Sequence, residues 1–276
     1  MNNITTARET IGIIEEGGYV FGGRTVRLTS GDPAAVEVIS PEKGKALVQK
    51  MRPAPGGTMC RFTLTGEDSF QAAARFQRPL VMNFANAHSP GGGFLLGANA
   101  QEEALCRCST LYASISSKAA KEMYRFNNTH PSRVESDYML LSEDVCVFRG
   151  PDLALLEKPF NVGVVTVPAP NRRGAAMLAS KALCAGVMGD RIRVMCAAAA
   201  EKGYRDLILG AWGCGAFGND PKTVSGLFRE ILIDENFGSY FDNVCFAIYG
   251  RPDSKNAAAF SQTFEKELDT KKSPAI

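Results

Sequence analysis

The chain has no apolar run long enough to cross a membrane: nowhere in its 276 residues do about 18 apolar positions follow one another. Its first residues, MNNITTARETIGIIEEGG, carry acids where a secretory signal needs an apolar stretch, so we expect a cytoplasmic protein and no membrane partner. Charge of one sign is missing too. Thirty-one basic and 29 acidic side chains leave a formal charge of +2, too near balance for bulk attraction to nucleic acid. Histidine is scarce, with only His88 and His130. Cys106 and Cys108, the close thiol pair, lack a second pair at ligand spacing, so we expect no metal and no cofactor. The eight cysteines are spread from Cys60 to Cys245, several inside apolar runs such as DVCVF and NVCFAIY. They read as buried free thiols rather than a disulfide framework.

What is present is the composition of a soluble globular fold: 45% hydrophobic and 22% charged residues exclude disorder for most of the chain. Ala7, Ile11 and Ile14 share one face of an opening helix that Thr5 or Thr6 would cap and that Gly17-Gly18 would stop. Short β-like pieces, GRTVRLTS and CRFTLT, follow between breakers, and a helix is expected after Asp68. From there the rhythm changes to near-continuous apolar runs at 79–85, 144–148, 161–167, 205–211 and 243–249. Such runs are strands covered on both faces. Helices are expected over 101–117, 175–202, 221–235 and 255–268, and a surface loop over 118–141. The fold class is therefore α/β, a three-layer α/β/α sandwich around a mixed, largely parallel sheet. We divide the chain into an N-terminal extension at 1–75, a core at 76–270 and a frayed tail at 271–276.

Two features follow strands at the end where open α/β sheets bind ligands. In the first, PLVMNFA runs through Asn86-Ala-His-Ser-Pro into Gly91-Gly92-Gly93, and seven residues later Gln101-Glu102-Glu103 opens a helix. Acids in a first helical turn commonly serve only the free N–H groups there. Beside three glycines whose backbone can approach a ligand, they also make a place for a polar ligand and a proton donor. Adjacent on a helix, Glu102 and Glu103 project about 100° apart and take different tasks. In the second feature, Leu209-Gly210-Ala211-Trp212-Gly213-Cys214-Gly215-Ala216-Phe217-Gly218-Asn219-Asp220-Pro221 leads a strand through a glycine loop into a helix start, with N–H groups free for phosphate. Gly213-x-Gly215-x-x-Gly218 matches a dinucleotide fingerprint formally, but it lies near the chain's end with no acid placed for a ribose, which disfavours a nicotinamide enzyme.

Together the glycine triplet, the Gln-Glu-Glu triplet, the loop GAWGCGAFGNDP and the opening ARETIGIIEEGGY resemble the bacterial-type poly(ADP-ribose) glycohydrolases, from about residue 7 to the last strand. The resemblance implies a macrodomain core that binds ADP-ribose. It assigns Glu103 as catalytic, Glu102 to ribose hydroxyls, Asn86 to the distal ribose, and Gly91, Gly92 and Gly93 to that ribose and the scissile bond. Gln101 joins the substrate-binding set. Gly213, Cys214, Gly215, Ala216, Phe217 and Gly218 match the diphosphate wrap, with Phe217 against the terminal ribose. The adenine pocket is not placed.

The chemistry suits the residue types. Cleaving a ribose–ribose bond passes through an oxocarbenium-like state and needs a proton on the leaving oxygen. Glu103 can deliver it and then take one from the attacking water. Competing readings concern four residues. His88 is a loop histidine bonding to backbone or a catalytic one, and Cys214 is a small cradle residue or a nucleophile. Arg172-Arg173 is a solvated pair or a phosphate contact, and Trp212 is core or a stacking platform. Three functions stay open: hydrolysis of poly(ADP-ribose) from chain ends, removal of a single ADP-ribose from protein or nucleic acid, and ADP-ribose binding without catalysis.

Overall fold

Successive residues of a strand face opposite sides of the sheet, and here they enter two separate buried clusters. Leu80 and Met82 join one while Val81 joins the other, and the same alternation holds for Leu207 and Leu209 against Ile208 and for Val244 and Phe246 against Cys245. The computed structural model describes residues 2–53 and 60–268. In chain order they form α1 (Asn3–Glu16), β1 (Gly18–Phe21), β2 (Arg24–Arg27), β3 (Glu37–Ile39), α2 (Pro41–Lys50), β4 (Arg61–Thr65), α3 (Ser69–Ala73), β5 (Pro79–Ala85) and α4 (Gln101–Cys108). Then come α5 (Leu111–Ile115), α6 (Lys121–Thr129), β6 (Met139–Arg149), β7 (Leu155–Pro168), α7 (Lys181–Glu201), β8 (Asp206–Leu209), α8 (Pro221–Arg229), β9 (Asn243–Ala247) and α9 (Lys255–Thr263).

Seven strands make one sheet in the order β3-β6-β7-β5-β8-β9-β4. From β7 to β4 all neighbours are parallel, whereas β6 is antiparallel to both β7 and β3. Residues of α2, α7, α8 and α9 pack on one face, and those of α1, α3, α4, α5 and α6 on the other. This is the mixed, largely parallel α/β sandwich expected. Strands β5, β7, β8 and β9 end together, so the loops that follow them gather at one edge of the sheet. Among the described residues no helix is long and apolar enough to cross a membrane.

Residues 1–75 supply both edge strands, β3 and β4, as well as α1 and the β1–β2 hairpin, whose two turn residues Gly22 and Gly23 have φ of +55° and +79°. The described part of this segment thus contributes both edges of the sheet. The tail expected at 271–276 lies outside the described residues. All eight cysteines are free, and seven are buried.

Several boundaries differ from the sequence reading. Asn2, not Thr5 or Thr6, caps α1: its Oδ1 accepts from the Ile4 and Thr5 N–H groups. The helix expected over 101–117 breaks at Ser109, which turns extended because Thr110 leaves the helix to bond Cys146. The Thr110 N–H donates to the Cys146 carbonyl, and the Cys146 N–H donates back to Thr110 Oγ1. The helix expected over 175–202 begins at Lys181, where Ser180 Oγ caps the Leu183 N–H, after a tight turn at Ala175–Leu178. Those expected over 221–235 and 255–268 end at Arg229 and Thr263, the first passing into a widened π turn. The surface loop expected over 118–141 instead holds α6, which buries Met123, Tyr124 and Asn127, and the start of β6. Its polar NNTHPSR stretch hid that helical face.

One close approach gives a stability test. A Cβ at Gly163 in β7 would overlap the hydroxyl of the buried Tyr204, whereas one at the exposed, helical Gly186 meets nothing within 4 Å. Gly163→Ala is expected to cost about 1–3 kcal/mol by overpacking, and Gly186→Ala to stabilise by roughly 0.5–1 kcal/mol. Calorimetric melting of the two variants checks both signs.

Candidate active site

The chain leaves β5 at Ala85 and turns at once, because Asn86 Oδ1 accepts from the His88 and Ser89 N–H groups at 2.8 and 3.0 Å. Gly91 and Gly92 then adopt φ of +69° and +54°, a region that favours glycine. Close approach demands glycine as well: a Cβ at Gly92 would stand 2.5 Å from Glu103 Oε1 and 3.4 Å from Glu102 Oε2. The loop returns to the sheet at α4, whose first turn carries both acids.

The two carboxylates are held differently. Glu103 is clasped by backbone, its Oε1 accepting from the Gly93 N–H at 2.9 Å and its Oε2 from the Ala100 N–H at 3.0 Å. Glu102 points inward and is 3% exposed. Its Oε2 accepts from the Asn86 N–H at 2.8 Å and its Oε1 from Asn83 Nδ2 at 3.2 Å. Burial pushes the Glu102 carboxyl up to about 8, against the lowering effect of those donors and with a further push from the Glu103 charge. Burial thus favours the protonated form of Glu102. Asn83 Oδ1 is buried without a partner. Asn83 Nδ2 is shared between Glu102 Oε1 and Thr166 Oγ1, each at 3.2 Å.

Gln101 lines a cavity and also holds backbone. Its Oε1 accepts from the Phe84 N–H at 2.9 Å and its Nε2 donates to the Met82 carbonyl and to Ser69 Oγ. Both ends of the amide pin α4 to the end of β5.

The second loop starts from Trp212, wholly buried with its Nε1 donating to the Val167 carbonyl at 3.0 Å, so Trp212 is core. Gly213 and Gly218 have φ of +72° and +71°, and Asn219 closes the loop by donating through Nδ2 to the carbonyls of Gly213 and Pro170. A Cβ at Gly215 meets nothing within 4 Å, so the middle of the loop faces open space. Burial raises the Cys214 thiol to about 12, which removes it as a nucleophile. His88 Nδ1 bonds Asn128 Oδ1 and its carbonyl accepts from Asn128 Nδ2, tying the loop to α6 as a loop histidine does. Arg172 turns toward the Ala179 carbonyl and Cys184, while Arg173 lies against Gly218.

A cavity of about 870 Å³ takes in Phe84, Gln101, Gly213, Gly215, Ala216 and Phe217, and continues to Asp68, Ile248, Tyr249 and Asn256. Its lining also runs through Asn99 and Ala100 to Ala104 and Arg107 on α4, while Glu102, Glu103 and the glycine triplet are not part of it. Sequence reasoning missed Tyr249, which is 79% exposed. The signal available for it was an aromatic residue directly after the last apolar strand. Among the described residues no group of three or more His, Cys, Asp or Glu side chains is placed to hold a metal.

The family model for the catalytic domain of microbial-type PARG, poly(ADP-ribose) glycohydrolase, matches residues 7–150. The crystal structure of poly(ADP-ribose) glycohydrolase from Thermomonospora curvata is 37% identical, covering 95% of this chain and 99% of its own, with a TM-score of 0.88. The chain belongs to the microbial-type PARG family. The same Thermomonospora protein bound to the inhibitor ADP-HPD matches at 37% identity, over 95% of this chain and 99% of that one, with a TM-score of 0.86. A PARG from Deinococcus radiodurans in complex with ADP-ribose matches at 34% identity, over 84% of this chain and 94% of that one, with a TM-score of 0.78. A search of the curated proteins finds no match.

In this PARG the raised Glu102 carboxyl links stability to pH. Because folding favours its neutral form, the stabilisation is complete below the ordinary carboxylate range of about 4.3 and is lost as pH rises through about 8. Glu102→Gln stays neutral throughout. The melting temperature of wild type relative to Glu102→Gln is therefore expected to fall as pH rises from about 4.3 to about 8 and to level off above that, and a gap independent of pH would contradict it.

Proposed function

We propose that this PARG hydrolyses the ribose–ribose glycosidic bond of poly(ADP-ribose), working from chain ends and releasing ADP-ribose. The observation that carries the reading is the approach of two unlike carboxyl groups, Glu102 and Glu103, to the backbone of Gly92, where no side chain fits. A ribose laid on Gly91–Gly93 would bring its anomeric carbon and leaving oxygen to Glu103, with Glu102 on the ribose hydroxyls. Glu103 gives its proton to the leaving oxygen as the C–O bond breaks. Water then adds to the oxocarbenium carbon and returns a proton to the Glu103 carboxylate, leaving the acid ready for another turnover.

The loop Gly213–Gly218 would wrap the diphosphate through its backbone N–H groups, with Phe217 against the ribose. The same cavity continues to Asp68 and Tyr249, which would receive the adenosine end by hydrogen bonding and stacking. Asn86 contributes its N–H to Glu102 and shapes the turn, leaving its Nδ2 for the distal ribose. Residues 1–75 belong to the working unit, since Asn3 Nδ2 donates to the Gly97 carbonyl and Thr10 Oγ1 to that of Arg107. The free, mostly buried thiols support a cytoplasmic setting.

Purified protein incubated with poly(ADP-ribose) is expected to release ADP-ribose, read by chromatography, with mono-ADP-ribosylated protein and DNA in parallel arms. Glu103→Gln should lower turnover at least about a thousandfold while ADP-ribose still binds. Retained turnover would remove Glu103 from its role. Gly215→Val should weaken ADP-ribose binding at least about tenfold with the melting temperature unchanged, because only a ligand meets the new side chain. Unchanged affinity would put the diphosphate elsewhere.

A further inference from the structure

Behind the catalytic loop lies a side chain that neither motif marks. Arg107, one helical turn after Glu103, is 1% exposed. Its Nη1 donates to the Ala98 carbonyl at 2.6 Å and its Nη2 to Asn99 Oδ1 at 2.6 Å, while its buried Nε has no partner. It makes no salt bridge among the described residues, although the other deeply buried arginines do: Arg191 pairs with Asp137 and Arg149 with Glu9. A buried cation held only by neutral acceptors is costly. The helix itself would gain more from an aliphatic residue there.

The acceptors it holds have a particular place. Ala98 donates its N–H to the Gly93 carbonyl, and its Cβ is the atom that a side chain at Gly93 would strike at 2.6 Å. Residues 93 and 100 supply the two N–H groups that clasp Glu103. Arg107 thus ties down the middle of the segment whose two ends orient the Glu103 carboxyl. The segment has few other anchors: Leu95, Leu96, Ala98, Asn99 and Ala100 are exposed. Its main other anchor is Phe94, wholly buried with its ring against Tyr112, and further ties come from α1, through Asn3 to the Gly97 carbonyl and through Thr10, whose hydroxyl donates at 2.7 Å to the carbonyl of Arg107 itself.

We infer that Arg107 is a positioning residue for the glycohydrolase reaction, holding residues 93–100 so that Gly93 and Ala100 present the Glu103 carboxyl at the scissile bond. The inference rests on the function proposed above. Arg107 and Asn99 border the cavity that continues to the diphosphate loop at 213–218, but that loop is built without either of them. A carboxyl displaced by about 1 Å can cost on the order of a hundredfold in rate.

The test compares wild type, Arg107→Met, Arg107→Lys, Asn99→Ala and the double variant Arg107→Met/Asn99→Ala. Steady-state ADP-ribose release from poly(ADP-ribose), calorimetric ADP-ribose binding and amide hydrogen exchange over residues 93–100 are measured on each. Arg107→Met is expected to lose at least about tenfold in kcat, with KM and the ADP-ribose Kd within about twofold and faster exchange across 93–100. Arg107→Lys should recover part of the kcat through one restored donor. Asn99→Ala, which removes only one of the two bonds from an exposed side chain, should lose about threefold, and the double variant should be no slower than Arg107→Met. Wild-type kcat in Arg107→Met, or kcat and affinity falling in proportion, would overturn the inference. Should Arg107→Met fail to fold, Asn99→Ala decides in the same way. A wild-type protein that releases nothing would instead refute the proposed function, and exchange at 93–100 would still judge Arg107.

Discussion

Two carboxyl groups pressed against the backbone of Gly92 set conditions that much of the molecule exists to meet. No residue with a side chain can stand at that position, so the loop must be glycine there and must take a left-handed conformation. Carboxyl groups removed from water need donors. The structure provides them from four places: the Asn83 amide and the Asn86, Gly93 and Ala100 N–H groups. Backbone donors are fixed only if the backbone is fixed: the half-buried Gln101 bonds the Met82 carbonyl of β5, and the buried Arg107 bonds the Ala98 carbonyl of the loop. The two neighbouring acids are held differently, Glu102 by the Asn83 amide and the Asn86 N–H and Glu103 by the Gly93 and Ala100 N–H groups.

The sheet makes this arrangement available to a ligand. Strands β5 and β8 are parallel neighbours in register from Pro79 with Asp206, so the loop carrying the acids and the loop carrying the open glycines leave the same edge side by side. Thr166 on β7 lies directly beside Asn83 on β5, and a hydrogen bond across that pair supports the amide that reaches Glu102. Trp212 anchors the glycine loop by burying its ring and donating to Val167, so the flexible residues after it start from a rigid point. Function therefore rests on loops, while their relative position is set by two packed faces of apolar side chains.

The amino-terminal residues show how poorly chain order reports spatial role. Residues 1–75 look like an extension because their β-like pieces are short and separated by breakers, yet β3 and β4 close the two edges of the sheet and α1 braces the catalytic loop. Edge strands need only one partner, and a piece as short as Glu37–Ile39 is stabilised by pairing with β6 rather than by its own propensity. The break between α4 and α5 has a similar origin. Local pattern favours one helix through Ser109, and a pair of hydrogen bonds between Thr110 and Cys146 overrides it.

The sequence by itself determined the alternation of apolar strands and helices, the two glycine loops at strand ends, and the pairing of a glycine triplet with adjacent acids, because each of these is written in residue type and short spacing. It also determined that Glu102 and Glu103 would act differently, since neighbours on a helix point in different directions. Only the tertiary structure decided which acid is pushed toward its neutral form, that Gln101 and Arg107 bond backbone carbonyls, and that Asp68 and Tyr249 share a cavity with a loop more than thirty residues from either. Those outcomes depend on desolvation and on contacts between segments distant in the chain, and neither quantity is local to any stretch of sequence.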